Sequence, residues 1–484
     1  MKSKIAIALL VLAGISTFAN AGLKAGADIT DITPLSDHYP ISTAGSMKAV
    51  FVDDSESRIH CRTVMVGNES TIVSFTIVDS CLIPRSIADA AKRIASGKTG
   101  IPAGHITVAA SHTHSAPAAT PAFQSNPSVG YQIYLTEKIA DSIANAHARL
   151  EPAEIGWAVG TDPTQVFNRR WFVTEPYLNP FSETTDKVRM NPGYNRGGGK
   201  VSKPAGPVDP DVSILSLRSP GPDKKPIALL ANYSLHYVGN PVRTSKGKSQ
   251  FSGDYFAAFA EVMAEKVASG NSDFVAVLSN GTSGDINNID YSSPPPETRY
   301  QPGEKIREVA ASVADAAMEA YQTIEYHQDL PIAVASRELQ LGVRKADPAG
   351  LKRAHEILGS TEQLINGNLS AREAIYARET LQLREFPDTV PVRLQSVRLG
   401  DLCINTTPCE TFVEIGLELK KISPFGTSFT IELANGYNGY LPTPQQHEWG
   451  GYETWRAKSS YLEVNASVKV VDAFKEMMNE LKSK

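Results

Sequence analysis

The stretch Ile106-Thr107-Val108-Ala109-Ala110-Ser111-His112-Thr113-His114-Ser115 decides how this chain is read. Five apolar or β-branched residues in succession predict a short buried strand, and two histidines follow directly on its carboxyl end. On an extended backbone alternate side chains share a face, so His112 and His114 are expected to point together beyond the strand. Ligands and catalytic groups gather at that edge of α/β sheets, and neutral imidazole suits zinc. An H-x-H pair alone is equally compatible with ordinary surface or core histidines, because a zinc site needs three or four converging donors.

Outward from this strand, short β-branched runs alternate with longer helical patterns, which predicts an α/β layered fold of mixed sheets with flanking helices. Residues 71–78, 212–217, 227–235 and 274–279 read as largely buried strands. Residues 86–96, 131–150 and 255–268 carry apolar side chains at three-to-four spacing and read as amphipathic helices. Further on, 332–341 and 392–399 have strand character. The charged segment between them forms an insertion, at about 346–386, read as two helices broken near Gly359 and Asn366-Gly367-Asn368, the second starting at Ser370. Its charge predicts a solvated hairpin away from the chemistry. Residues 168–209, rich in Arg, Asn, Gly and Pro, read as a long irregular segment, either a functional loop or a disordered one.

Lys2 and Lys4 precede an apolar run from Ile5 to Leu12 and the exit Ala19-Asn20-Ala21. This is the pattern of a secretory signal over residues 1–21, leaving 22–484 as a periplasmic or secreted domain. No later segment reaches the roughly 18 uninterrupted apolar residues that span a bilayer. The net charge is -5, with acids and bases mixed and no basic stripe, which argues against nucleic acid as a partner. Cys61, Cys81, Cys403 and Cys409 are too few for a disulfide scaffold and read as structural, bridged or buried.

More donors stand at the ends of other apolar runs. His236 closes 228–235, Glu410 closes Thr406-Thr407-Pro408-Cys409, and Tyr440 lies in the turn-rich loop Asn435-Gly436-Tyr437-Asn438-Gly439-Tyr440-Leu441-Pro442. A carboxylate and a phenolate beside two imidazoles can complete a tetrahedral shell.

In order, His112-Thr113-His114-Ser115, Phe167-Asn168-Arg169, Asp209-Pro210-Asp211-Val212, Asn232-Tyr233-Ser234-Leu235-His236, Gly284-Asp285, Pro408-Cys409-Glu410 and Tyr437-x-x-Tyr440 resemble the N-terminal domain of the neutral/alkaline ceramidases, over essentially the whole mature chain. The resemblance implies a ceramidase-like fold and a zinc ion held by His112, His236, Glu410 and Tyr440. It also implies that His114, Arg169 and Tyr452 surround the scissile amide. Zinc acidifies water from a pKa of about 15.7 toward 7, an imidazole can pass a proton to the leaving nitrogen, and Arg169 and Tyr452 can donate to the oxyanion. The implied activity is zinc-dependent hydrolysis of an amide (N-acyl) bond in a small-molecule, lipid or glycan-derived substrate.

The chain departs from the family pattern in two ways. Where the ceramidases carry serine in G-D-x-S-P-N, it reads Gly284-Asp285-Ile286-Asn287-Asn288, so Asn287 offers an amide for hydrogen bonding and no hydroxyl nucleophile. The ceramidases also continue into a C-terminal sandwich-like domain, whereas this sequence ends at Lys484 after a helix expected over 462–481. Together with the polar segment 168–209, these departures shift the expected ligand from ceramide toward something more polar. Two other classes remain compatible with the residues: a zinc enzyme of carbohydrate-derived substrates, of esterase, deacylase or uronate lyase type, and a binding protein without turnover.

Overall fold

The computed structural model describes residues 22–179, 181, 184–239, 243, 247–359 and 371–484. The signal segment 1–21, the Asn366-Gly367-Asn368 break and the helix start at Ser370 lie outside the described residues.

Three mixed sheets carry the fold. The first runs in the order Ile106–Ala110, Ile72–Val78, His60–Gly67, Lys24–Asp31, Glu151–Pro152. The second runs Val275–Asn280, Pro226–Tyr233, Asp211–Arg218, Glu154–Thr161, Glu325–His327, and the third Ile332–Gly342, Thr389–Leu399, Leu402–Thr406, Thr427–Ile431. Each sheet is antiparallel except for one pair at its edge: Ile72–Val78 with Ile106–Ala110, Pro226–Tyr233 with Val275–Asn280, and Leu402–Thr406 with Thr427–Ile431. The edge strands Ile106–Ala110 and Val275–Asn280 are buried at every residue. That is why they read as unbroken apolar runs rather than as alternations.

One face of every sheet turns toward a shared core. Phe75, Ile77 and Ala109 from the first sheet meet Leu215, Leu230 and Val277 from the second and Val397, Ile404 and Phe429 from the third. Each opposite face is covered by helices. Arg85–Thr99 and Val129–Ala148 pack on the first sheet, Asp254–Ala268 and Glu304–Tyr321 on the second, and Val413–Ile422 and Ala466–Ser483 on the third. Burying one such Val, Leu, Ile or Phe side chain contributes about 1.5–3 kcal/mol. The fold is therefore the layered α/β arrangement expected, built three times around one centre.

Polar bonds stitch the sheets together at one end. Asn232 Nδ2 donates to the Thr430 carbonyl at 3.2 Å, Glu432 N to Asn280 O at 3.1 Å, and Ala110 N to Leu433 O at 3.1 Å. The carboxyl ends of the three parallel pairs are thereby held side by side.

Some elements differ from the sequence reading. Within 168–209 the chain forms a three-stranded antiparallel sheet, Thr185–Met190, Arg170–Leu178 and Val201–Pro204. The strands escaped notice because much of Arg170–Leu178 and Val201–Pro204 is exposed, so pairing rests on the backbone and leaves no apolar period. The helix Arg372–Arg384 is not a wet hairpin arm, since Ile375 to Thr380 and Leu383 are buried in it. Its charge misled because Glu379 is covered and accepts the Lys458 backbone N–H at 3.0 Å. All four cysteines are free and buried, so of the two structural readings the buried one holds. No helix among the described residues is long and apolar enough to cross a membrane.

Lys92, on the helix Arg85–Thr99, is buried and donates to Asn435 Oδ1, tying that helix to the loop that carries Tyr437 and Tyr440. Burial, and next the charge of Arg393, pushes the Lys92 ammonium down to about 7. A lysine depressed on folding contributes stability that is present above its unfolded pKa and is lost as pH falls toward the folded value. Lys92→Met is therefore expected to flatten the decline in stability between about pH 10 and pH 7, read by urea unfolding at several pH values. A slope equal to that of the parent would contradict this role.

Candidate metal centre

The three sheets each deliver one donor from the carboxyl side of a parallel pair. Ile106–Ala110 leads to His112, Pro226–Tyr233 to His236, and Leu402–Thr406 to Glu410. Tyr440 arrives by a different route: Glu410–Thr411 and Tyr440–Leu441 form a short parallel pair in which Glu410 and Tyr440 are register partners. The structure thus brings together the four side chains that the sequence placed far apart.

His112 does not continue the strand as expected. Its φ is 77°, in the left-handed region, and its N–H donates to Ser80 O at 2.9 Å. The chain turns at this residue, and the His112 and His114 rings meet edge to face with centroids 4.8 Å apart. A non-glycine residue held left-handed stores local strain that the surrounding bonds must maintain.

The ring nitrogens have fixed roles. His112 Nδ1 lies 2.9 Å from Cys81 O, and His236 Nδ1 lies 3.2 Å from Ser283 O. A carbonyl oxygen only accepts, so each ring carries a proton on Nδ1 and turns its Nε2 toward the centre. Those two Nε2 atoms are 2.9 Å apart, with Glu410 Oε2 at 3.5 Å from one and 3.9 Å from the other. Two ring nitrogens and a carboxylate oxygen at this spacing call for positive charge among them: against the effect of burial, Cys81 and Glu410 hold the His112 imidazole well above its usual range, and a cation can take the place of that proton. An N/O set of this kind is one that zinc accepts. Cys81, His112 and His114 form a second grouping. It is the weaker one, because His112 Nδ1, which faces Cys81 Sγ at 3.8 Å, is already bonded to the Cys81 carbonyl.

Around this centre stand the other residues singled out in the sequence. The His114 ring stacks on Tyr237 at 3.6 Å, and a Cβ on Gly45 would lie 2.3 Å from it, so only glycine lets the ring sit there. Burial, and next the charge of His112, holds both His114 and His236 well below the usual imidazole range. Arg169 donates from Nη2 to Tyr440 Oη at 3.1 Å and to Gly284 O at 2.7 Å, and its Nε meets Glu453 Oε1 at 2.8 Å. Tyr452 packs edge to face on Tyr440 with centroids 6.0 Å apart. Tyr437, the first tyrosine of the Y-x-x-Y pair, donates to Glu410 Oε1 at 2.9 Å.

Two supporting acids went unread in the sequence. Glu453 holds both Arg169 and Arg170, and nothing in its local sequence distinguishes it from a surface glutamate. Glu432 is fully buried and accepts from Thr411 N, Ser283 N, Ser283 Oγ and Asn280 Nδ2 at 2.6 to 3.3 Å. It joins the residue next to Glu410 to the residue whose carbonyl orients His236, and burial raises its carboxyl to about 8. An acid directly after the apolar run ending at Ile431 was the signal available, since a buried charge persists only where bonds compensate it.

Two cavities open on the centre. The smaller, about 320 Å³, is lined by Leu82, Phe123, Phe386 and Tyr461 together with His112 and Glu410. The larger, about 670 Å³, runs past Arg169 and His236 to Asn191 and Asn287. Gly45, His114, Tyr440 and Tyr452 wall both. Asn287 gives its amide hydrogens to Asn191 Oδ1 at 2.9 Å and Tyr291 Oη at 3.0 Å, so it shapes this wall rather than offering a free donor. The helix Arg372–Arg384 supplies Glu379 to the smaller cavity and Arg372 to the larger.

The whole chain is similar in fold to two solved ceramidase structures. Neutral ceramidase from Pseudomonas aeruginosa matches with a TM-score of 0.69 at 15% identity, over 96% of this chain and 75% of that one. A ceramidase complexed with C2 matches with a TM-score of 0.68 at 15% identity, over 96% of this chain and 76% of that one. No family model matches the sequence, and no curated protein matches it. The likeness is one of fold, and it agrees with the resemblance carried by the sequence motifs.

Glu432→Ala would strand buried donors at about 1–3 kcal/mol for each group left unpaired. Urea unfolding is expected to show a loss of several kcal/mol, partly restored in Glu432→Gln. A loss below about 1 kcal/mol would mean that the cluster does not hold the centre together.

Proposed function

We propose that the protein is a secreted zinc-dependent hydrolase of an amide (N-acyl) bond, working in the manner of a ceramidase. The reading is supported above all by the two inward-turned Nε2 atoms of His112 and His236 facing Glu410 and Tyr440 within a ceramidase fold. Those four residues would hold the zinc. When bound, zinc supplies a Lewis acid that polarises the amide carbonyl and lowers the pKa of water toward about 7.

The remaining work falls to the chain's own groups. The Cys81 and Ser283 carbonyls keep the two imidazoles turned inward. His114, at the junction of the two cavities, takes a proton from the attacking water and returns it to the leaving nitrogen. Arg169, held by Glu453 and the Gly284 carbonyl, and Tyr452 donate to the oxyanion as the carbonyl becomes tetrahedral. With asparagine at 287, water is the nucleophile and the side chain positions Asn191 and Tyr291. The substrate is a small molecule, a lipid or a glycan derivative that divides between the two cavities, with no nucleic acid involved. In this reading residues 1–21 are removed on export and 22–484 form one catalytic domain, to whose cavities the helix Arg372–Arg384 contributes Glu379 and Arg372.

A second reading, zinc-assisted attack on a carbohydrate-derived ester, N-acyl sugar or uronate, draws support from the polar lining of the larger cavity. Product analysis separates the two, since a lyase leaves an unsaturated uronate.

Metal analysis of the purified protein should find one zinc per chain, and a panel of N-acylated lipids, amino acids and sugars should contain a hydrolysed substrate. His112→Ala and His236→Ala are expected to lose both zinc and turnover. Tyr452→Phe should retain zinc while kcat drops about 100-fold to 1000-fold. A His112→Ala variant as active as the parent would refute the assignment.

A further inference from the structure

The larger cavity is electropositive within an acidic protein. The chain carries a net charge of -5, yet among the described residues the cavity wall holds Arg169, Arg243 and Arg372 and no aspartate or glutamate. Arg169 and the adjacent Arg170 both pair with one buried carboxylate, Glu453. At the rim, Arg372 donates to the Tyr177 hydroxyl at 3.4 Å and lies over the Trp455 ring, while Arg243 donates to Gly247 O at 3.1 Å. Among the described residues neither rim guanidinium has a carboxylate partner. Several basic groups elsewhere on the protein do have one, as in Lys420 with Asp209, Arg218 with Glu154 and Arg393 with Asp89, whereas among the described residues Arg344 bonds only carbonyls and a hydroxyl. The smaller cavity follows that habit, since its Lys458 stands 3.7 Å from the buried Glu379.

The neutral lining includes hydroxyls that can donate or accept, and Asn191 adds a donor. Asn191 Oδ1 is consumed by Asn287 and Tyr291, which leaves the Asn191 Nδ2 as a donor with no protein acceptor among the described residues. A wall of guanidinium and amide N–H groups is satisfied by anionic oxygen, and a carboxylate matches the planar fork of an arginine with two parallel bonds. A neutral hydroxylated amine would leave the rim charges unanswered.

We propose that the larger cavity seats a carboxylate-bearing polar group, so that the preferred substrate is an N-acylated amino acid or N-acylated acidic sugar rather than a neutral lipid amide. This rests on the amide-hydrolase reading for its reaction, but not for its recognition. Arg372 and Arg243 set the specificity from the rim, and the smaller, more apolar cavity receives the acyl arm.

The test uses matched substrates that differ only in the anion: N-octanoyl-aspartate against N-octanoyl-asparagine amide, and an N-acylated aminouronate against the neutral N-acylated aminohexose. The anionic member of at least one pair is expected to show kcat/KM higher by about tenfold or more, a margin that shrinks as salt screens the rim. The Arg243→Gln/Arg372→Gln double variant should bring the ratio close to unity, chiefly by lowering kcat/KM for the anionic member. Whichever pair shows the margin identifies the amino acid or the sugar as the source of the carboxylate. A separate readout is calorimetric titration of the zinc-free protein with aspartate and with the free aminouronate, each beside its neutral counterpart. Carboxylate binding that disappears in the double variant supports the inference even if no amide is ever cleaved, an outcome that would sink the hydrolase reading alone. Equal or faster turnover of the neutral amides, or a double variant with an unchanged ratio, overturns it.

Discussion

The Nε2 atoms of His112 and His236 face each other across 2.9 Å, and this close approach, which needs positive charge between or beside the rings, constrains everything built around it. Side chains left to themselves would rotate away. They stay because each ring is fixed from behind by a backbone carbonyl, Cys81 for one and Ser283 for the other. The Ser283 loop is in turn held by Glu432, which grips Thr411 beside Glu410 as well. Gly284 completes the arrangement by omission, since a Cβ there would stand 2.6 Å from the Glu410 carbonyl. Such a centre is organised before any ligand arrives, which is the condition for electrostatic stabilisation without reorganisation.

Beneath and beside the centre the protein invests heavily in buried polar groups. Arg170, with no exposed surface, meets Glu453, Gln446 and the Gly450 carbonyl, and Asp285 accepts from Asn168 Nδ2 and Val413 N. Burial raises the Asp285 carboxyl to about 7. Groups of this kind are tolerated only when every partner is present, because removing one leaves an uncompensated charge at a cost of about 3–5 kcal/mol. The network therefore ties the segment around Arg169, the start of the helix Val413–Ile422 and the loop around Glu453 into a single unit, so that the guanidinium beside Tyr440 has one orientation.

Much of the frame was legible in the sequence. Ile106–Ala110 and the neighbouring apolar runs announced buried strands, and histidines at their carboxyl ends marked the side of the sheets to inspect. The less apolar elements were silent. Arg170–Leu178 pairs through its backbone with half-wet side chains, and Arg372–Arg384 hides its glutamate and tyrosine under a charged composition. The left-handed turn at His112 was also illegible, because a single φ value is settled by the bonds Ser80 and Cys81 make to that residue, and neither is a local partner.

By itself the sequence determined the chemistry on offer: two imidazoles, a carboxylate and a phenol, each placed where a buried run of chain stops. Only the tertiary structure decided that they meet. His112 and His236 are 124 positions apart, and each donor belongs to the end of a different sheet or to the loop paired with it. Local periodicity specifies which face of a strand is apolar, but not which other sheet that face will pack against. The convergence follows from three apolar faces sharing one core, a constraint that exists only once the whole chain has closed around it.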